Sequence, residues 1–265
     1  MTTSYHVHSN FSDGRNSVTE IVSAAAALGF DEVGISDHLV LLGQERRVTW
    51  SMSVDDLPDY FDAIEHAAGN APHGLTVRRG LEIDFIPEAI DQTADIVERY
   101  PLDYVIGSVH FFDGFPIDEC RERWDRISEA ERDDIIRGYW GLIARMARTG
   151  MFDIAGHLDL YKKFGHLPTA DMSADIITAI DAIAESGMSV ELNTSGWDKP
   201  IKEAYPSTMI LKSCLRRGIP IIVTADAHAA SDLTSDYDRA ARVLHSLGWD
   251  NTAIYCCRVR TIVGS

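Results

Sequence analysis

"SYHVHSNFSDG", residues 4–14, sets His6 and His8 on either side of one valine and runs into a polar turn carrying Asp13 and Gly14. In a strand, residues i and i+2 share a face with their Cα atoms about 6.5–7 Å apart, so two such imidazoles can converge on one metal ion. Surface histidines on an edge strand have the same spacing. The rest of the chain decides between the two readings.

Outward from this stretch a pattern recurs: a short apolar, β-rich run, a polar turn, then an amphipathic helical segment. The expected strands are "SYHVH" (4–8), "EVGIS" (32–36), "TVRRGLEI" (76–83), "YVIGSVH" (104–110), "FDIAGH" (152–157), "SVELN" (189–193) and "PIIVTAD" (220–226). Among the intervening helices, "SVTEIVSAAAALG" (17–29) carries Ser17 and Glu20 at capping-box spacing and Gly29 as a stop. "SADIITAIDAIAESG" (173–187) reads the same way, with a serine-to-acid start and a glycine end. Such alternation argues for parallel strands joined by helices, and seven units favour a distorted TIM-like (β/α)7 barrel over an open sheet. No composition shift or linker interrupts residues 1–265, so one domain is expected.

The metal-binding residue types fall at one end of these strands. His6 and His8 end the first, "SDH" (36–38) the second, "LEID" (81–84) the third, "SVH" (108–110) the fourth, "GHLD" (156–159) the fifth and "ADAH" (225–228) the seventh. A parallel barrel gathers its strands' C-terminal ends on one face, where its sites lie. Scattered surface histidines would not choose that end, and six of the ten histidines do. The candidate ligands are His6, His8, Asp13, His38, Glu82, His110, His157, Asp226 and His228. A zinc site uses three or four protein ligands, so nine imply two to three divalent ions, and Glu82 can bridge two of them. Imidazole and carboxylate without thiolate suits zinc, iron or manganese. Asp37 and Asp159, beside ligating histidines, read either as acceptors for imidazole N–H groups or as turn and cap residues. His66, His73 and His245 lie away from the strand ends and read as solvated or packing residues, while His166 follows the fifth-strand loop and is open to both readings.

Composition bounds the partners. The 41 acidic against 24 basic residues give a net charge of −17, which repels nucleic acid and anionic membranes. A small anionic substrate stays open, because clustered cations reverse the potential locally. No apolar run is long enough to span a bilayer, and the opening "MTTSYHVHSN" does not read as a secretory signal. Cys120, Cys214, Cys256 and Cys257 show no CxxC spacing, and reduced thiols in a cytoplasmic protein are the expectation.

In order, "HVH", "SDG", "SDH", "GLEIDF", "DYVIGSVHF", "GHLDLYKKFG", "ELNTSG" and "TADAH" resemble the motifs of the polymerase and histidinol phosphatase (PHP) superfamily, most of all its monofunctional histidinol-phosphatase branch. The resemblance runs from His6 to about Asp232. It implies a seven-unit barrel with a trinuclear centre and makes ligands of His6, His8, His38, Glu82, His110, His157, Asp226 and His228, with Asp13 at a position where the family varies. It also implies hydrolysis of L-histidinol phosphate. After "NTSG" the branch commonly carries an Arg-Lys pair, where this chain has Trp197, Asp198 and Lys199.

The expected chemistry is attack on a phosphate monoester by a hydroxide bridging two ions, with Glu82, Asp226 and His228 at the reacting centre. Lys162, Lys163, Lys199, Arg46 and Arg47 are the cations available to the phosphate. Asn193 faces the substrate, with Glu191 deeper on the same strand face. Asp198 suits a substrate ammonium. Three other readings remain: a relative acting on another small phosphomonoester (nucleotide, sugar phosphate or phosphoamino acid), a metal-binding module without catalysis, and a metal-dependent sugar isomerase. The oligomeric state is left open.

Overall fold

The computed structural model describes residues 1–43 and 48–264. Seven parallel strands follow one another in chain order: β1 (Thr3–Ser4), β2 (Glu32–Ile35), β3 (Thr76–Asp84), β4 (Tyr104–Ser108), β5 (Ile154–Ala155), β6 (Ser189–Asn193) and β7 (Ile221–Thr224). β7 returns beside β1, where Val7 pairs in parallel with Ala227. His8 N donates to Ala227 O at 2.9 Å and Ala227 N to His6 O at 3.1 Å, which nearly closes the barrel. The expected strand over 4–8 is therefore corrected. Regular pairing stops at Ser4, and His6 and His8 lie in an extended seam between the first and last strands. "SDH" also departs from expectation. After β2 ends at Ile35 the chain kinks, and His38–Leu39 forms its own two-residue pairing with Glu82 and Ile83 of β3.

The connections are right for a βα barrel. The described residues contain α1 (Val18–Ala27), α2 (Leu57–Gly69), α3 (Ile90–Arg99), α4 (Arg121–Asp125), α5 (Glu129–Arg148), α6 (Ser173–Ser186), α7 (Thr208–Arg216) and α8 (Tyr237–Ser246). Ser17 and Glu20 form the predicted capping box of α1, and Gly29 beyond it has a left-handed φ of +75°. α6 begins differently from its sequence pattern. Ser173 is its first residue rather than its cap, and Asp171 Oδ1 accepts the Ser173 N–H at 2.9 Å, an acid two residues upstream doing the capping.

Sterics explain two glycine positions. The buried Tyr104 ring fills the lower barrel, and a Cβ on Gly34 of β2 or Gly80 of β3 would lie 2.2 Å from its atoms. Below that ring a C-terminal hairpin not expected from the sequence, β8 (Asn251–Cys256) and β9 (Val259–Gly264), stoppers the N-terminal end of the barrel. Tyr255 packs edge-on against Tyr5, and its hydroxyl reaches Ser189 Oγ at 2.7 Å and Asp153 O at 3.1 Å. One end is thereby sealed, leaving the C-terminal rim for chemistry. No helix among the described residues is long and apolar enough to cross a membrane.

Candidate metal centre

Strand alternation delivers the rim residues in pairs. Glu82 and Asp84, Ser108 and His110, and Glu191 and Asn193 are each two apart at a strand's C-terminal end, while His6 and His8 lie in the seam beyond β1 and Asp226 and His228 in the turn beyond β7. The turn after His8 is held by sterics as well: a Cβ on Gly14 would sit 2.2 Å from the His8 carbonyl oxygen, so "SDG" needs its glycine to bring Asp13 back over the site. Asp226 adopts a left-handed φ of +52°, a conformation Asp tolerates better than most residues, and this turns the chain out of the barrel wall.

All nine predicted ligands converge. Four overlapping groups have ligand atoms within 4.8 Å of one another: His8, Asp13, His38 and His228; His6, Glu82 and His157; His6, His8 and Asp226; and His38, Glu82 and His110. Glu82 is the hub. Five imidazole nitrogens lie within 4 Å of its carboxylate: His38 Nδ1 at 2.5 Å, His157 Nε2 at 2.9 Å, His6 Nε2 at 3.2 Å, His8 Nε2 at 3.7 Å and His110 Nε2 at 3.9 Å. His6, His8 and Glu82 are at most 1% exposed. Yet His6 Nε2, 3.2 Å from Glu82 Oε2, has no hydrogen-bond partner, nor do His8 Nδ1 and His157 Nδ1. A buried polar atom left unpaired costs about 1–3 kcal/mol, and buried imidazoles and carboxylates crowded this closely fit divalent cations held between them.

Charge within the cluster is strongly displaced. Burial and the neighbouring His38 and His228 push His8 down to about 3. His110 is raised to about 10, because Asp84 outweighs the effect of burial, and His228 to about 9, because Asp13 and Asp226 do so. Burial opposes ionisation of Glu82 and Asp226, but the surrounding histidines hold both well below the ordinary carboxylate range. The carboxylates are thus charged and ready to meet cations.

Two acids support the imidazoles. His110 Nδ1 lies 2.6 Å from Asp84 Oδ1, and His6 Nδ1 lies 2.6 Å from Glu191 Oε1, leaving each Nε2 to the cluster. Neither Asp37 nor Asp159 does this. Asp37 accepts from Ser9 and Ser12 in the turn after His8, and Asp159 accepts the Ser207 N–H and pairs with Lys162, so the turn-and-cap reading holds for both. Asp84 lies two residues beyond Glu82 on the same face of β3, a spacing that marks it as a partner for a rim histidine.

Above the cluster opens a cleft of about 1060 Å³, with Asp13, His38, His110, His157, Asp226 and His228 in its floor. Lys163 and Lys199 line it, as does Asp198. Lys162 does not, which corrects its assignment to phosphate. Its ammonium is buried among Asp159 Oδ2 at 3.1 Å, Glu203 Oε2 at 2.8 Å and Ala204 O at 2.8 Å. Asn193 is also corrected: fully buried, it donates to Asp226 Oδ2 at 3.1 Å and holds that carboxylate rather than facing the cleft. Arg46 and Arg47 lie outside the described residues. The sequence reading passed over Arg15, which lines the cleft beside Asp13, and Trp50, whose ring meets His38 edge-on at 4.8 Å and His110 at 5.4 Å. Among the described residues Arg15 and Lys199 form no ion pair, whereas Lys163 is taken by Asp118 at 2.9 Å. His66 stands apart on α2, and His166 pairs with Asp125 at 2.7 Å and stacks on Trp124.

The model of the PHP domain matches residues 4–195. The chain belongs to the PHP family. A Deinococcus radiodurans protein named "Probable histidinol-phosphatase" is 33% identical over 232 residues, 86% of either chain. The histidinol-phosphatase of Bacillus subtilis is 26% identical, spanning 88% of this chain and 96% of its own. Among solved structures, the histidinol phosphate phosphatase of Lactococcus lactis complexed with zinc, L-histidinol and phosphate superposes with a TM-score of 0.83 at 20% identity, covering 98% of each chain. The PHP match ends at Ser195, so the region carrying Asp198, Lys199, Asp226 and His228 lies beyond it.

Proposed function

We propose that this PHP chain acts as one domain, a divalent-metal-dependent phosphomonoesterase whose substrate is L-histidinol phosphate. The observation that carries the metal-dependent part is the buried convergence of five imidazoles on the Glu82 carboxylate, with Asp13, Asp226 and His228 beside them. His6, His8 and Asp226 would hold one ion; His38, Glu82 and His110 a second; and Asp13 and His228, with His8 or His38, would complete a third. His157 joins His6 and Glu82. Zinc, iron and manganese all suit this donor set. When bound, such ions lower the pKa of water to near neutrality and offset the phosphate's charge.

The chain's own residues do the rest. Asp84 and Glu191 orient His110 and His6, and Asn193 orients Asp226. Arg15 and Lys199, which line the cleft and form no ion pair among the described residues, would receive the phosphate. Trp50, standing over His38 and His110, offers an apolar face to the rest of the substrate, which suits an imidazole ring. Asp198 supplies an acceptor for the substrate's ammonium. The metal-binding module without catalysis has no support in a centre whose nine positions are all filled, and a sugar isomerase would want fewer histidines than the six that meet here. A cytoplasmic location fits a biosynthetic role.

Phosphate release from histidinol phosphate, measured against nucleoside monophosphates, sugar phosphates and phosphoserine, tests the substrate. Histidinol phosphate should lead on kcat/KM. A wide preference for another phosphomonoester would retire the histidinol assignment and leave a PHP phosphoesterase of different specificity, consistent with the Trp197-Asp198-Lys199 departure. Asp198→Asn should raise KM for histidinol phosphate while leaving hydrolysis of an uncharged aryl phosphate nearly unchanged. A desolvated charge pair can be worth a few kcal/mol, and about 1.4 kcal/mol is tenfold in affinity. Equal effects on both substrates would give Asp198 to loop structure. For the supporting acids, Asp84→Asn should cost about 10–100-fold in metal affinity or activity, the usual loss when the partner of a ligating histidine is changed. Unaltered metal content together with wild-type kcat would make the Asp84–His110 contact a packing feature only.

A further inference from the structure

At the sealed end of the barrel, away from the rim, the turn between β8 and β9 presents two adjacent thiols. In extended chain Cys256 and Cys257 would point to opposite faces. Here Cys257 and Arg258 have left-handed φ values of +50° and +63°, and the turn brings the two Sγ atoms to 3.9 Å. Tetrahedral zinc with Zn–S bonds of about 2.3 Å sets its two sulfurs about 3.8 Å apart, so the pair is spaced as a ready-made chelate. A disulfide fits worse: neighbouring Cα atoms are about 3.8 Å apart, shorter than the roughly 4.4–6.8 Å that disulfides span.

A third donor is already fixed in place. Asp103, buried and just ahead of β4, has a carboxylate oxygen within 4.8 Å of both sulfurs. Its Oδ1 accepts the Cys257 N–H at 3.0 Å, its Oδ2 accepts the Arg79 N–H at 2.9 Å, and its backbone oxygen accepts the Arg258 N–H at 2.9 Å. The carboxylate is thereby locked beneath the thiols. Both cysteines are exposed, so an ion can reach them. Seven residues of strand and rim separate Asp103 from His110, roughly 20 Å at strand rise, so no ion could serve both places.

We infer that Cys256, Cys257 and Asp103 form a second metal site, separate from the rim cluster, that takes a thiophilic divalent cation such as zinc or cadmium. Binding forms two metal–sulfur bonds, releases the two thiol protons to solvent and leaves a fourth position for water. The ion would tie the hairpin turn to the loop ahead of β4, in the part of the barrel where stability rather than chemistry is set.

Cobalt(II) is the probe, because thiolate coordination adds a near-ultraviolet charge-transfer band that the nitrogen and oxygen donors of the rim cannot produce. Metal-free full-length protein, reduced with a phosphine, is titrated without oxygen. Wild type should develop the band, saturating at one equivalent bound to sulfur, and Cys256→Ser and Cys257→Ser should each lose it while keeping the rim's metal content. Both side chains are exposed, so neither change should unfold the protein; circular dichroism checks this. Thiol titration with a disulfide reagent is the second readout, with cadmium protecting two thiols in wild type and none in the double serine variant. No band in wild type, a band that persists in the double variant, or two thiols already oxidised before metal is added would each overturn the inference.

Discussion

Glu82→Ala should lower kcat by about 10³-fold or more, corresponding to about 4 kcal/mol of transition-state stabilisation, if Glu82 helps hold the ions proposed to activate water. The size follows from position. Glu82 belongs to two of the four groups, and at least one of the five imidazoles within 4 Å of it belongs to each of the others, so removing it disturbs the whole cluster. Glu82→Gln keeps the volume and removes the charge, separating the electrostatic loss from any cavity. His66→Ala is the control. It is exposed on α2, bonded only to Asn70, and should leave kcat unchanged and stability within about 0.5 kcal/mol. Steady-state kinetics with metal content measured on the same samples decide the matter. Wild-type kcat in Glu82→Ala, or a matching loss in His66→Ala, would mean that the chemistry happens elsewhere.

Prolonged chelation should abolish activity, and zinc, iron or manganese should restore it, with more than one equivalent bound per chain on the proposed reading. A metal-free protein with full activity would sink the proposed mechanism. Proton uptake gives a second reading. Without metal, His110 at about 10 and His228 at about 9 bind protons more tightly folded than unfolded, where the value is 6.5. Their contribution to stability is fully present below pH 6.5 and is lost as pH rises through 9 and 10. Glu82 and Asp226 have the opposite sign: held below their ordinary range, they contribute above it and lose that contribution as pH falls. The metal-free protein should therefore lose thermal stability progressively above pH 6.5. Metal addition at pH 7 should release protons, since ions replace them on the imidazoles, and restore stability at alkaline pH. A buffer-independent signal with no proton release would contradict this exchange.

The residues at the strand ends were legible because barrel architecture is written locally. Apolar runs of period two, helical stretches with caps, and a histidine or acid at each strand's last turn all sit within a few residues of one another. Once parallel strands are granted, geometry forces those ends together, and the nine side chains that the sequence singles out do meet. The hairpin of β8 and β9 escaped notice because its turn, "CCRV", lacks the Asn or Gly that marks such turns. Lys162 and Lys163 show where local reading ends. They are adjacent and alike in sequence, but Lys162 turns inward to Asp159, Glu203 and Ala204, whereas Lys163 lines the cleft. Glu191 and Asp84 likewise owe their roles to histidines 185 and 26 residues away. By itself, the sequence determined the barrel and which histidines and acids gather at its rim, through periodicity and the types of residue at strand ends. Only the tertiary structure decided which acid backs which imidazole and which cation faces the cleft, because a charged side chain settles where distant carboxylates and carbonyls offset its desolvation, and those partners become neighbours only when the barrel closes.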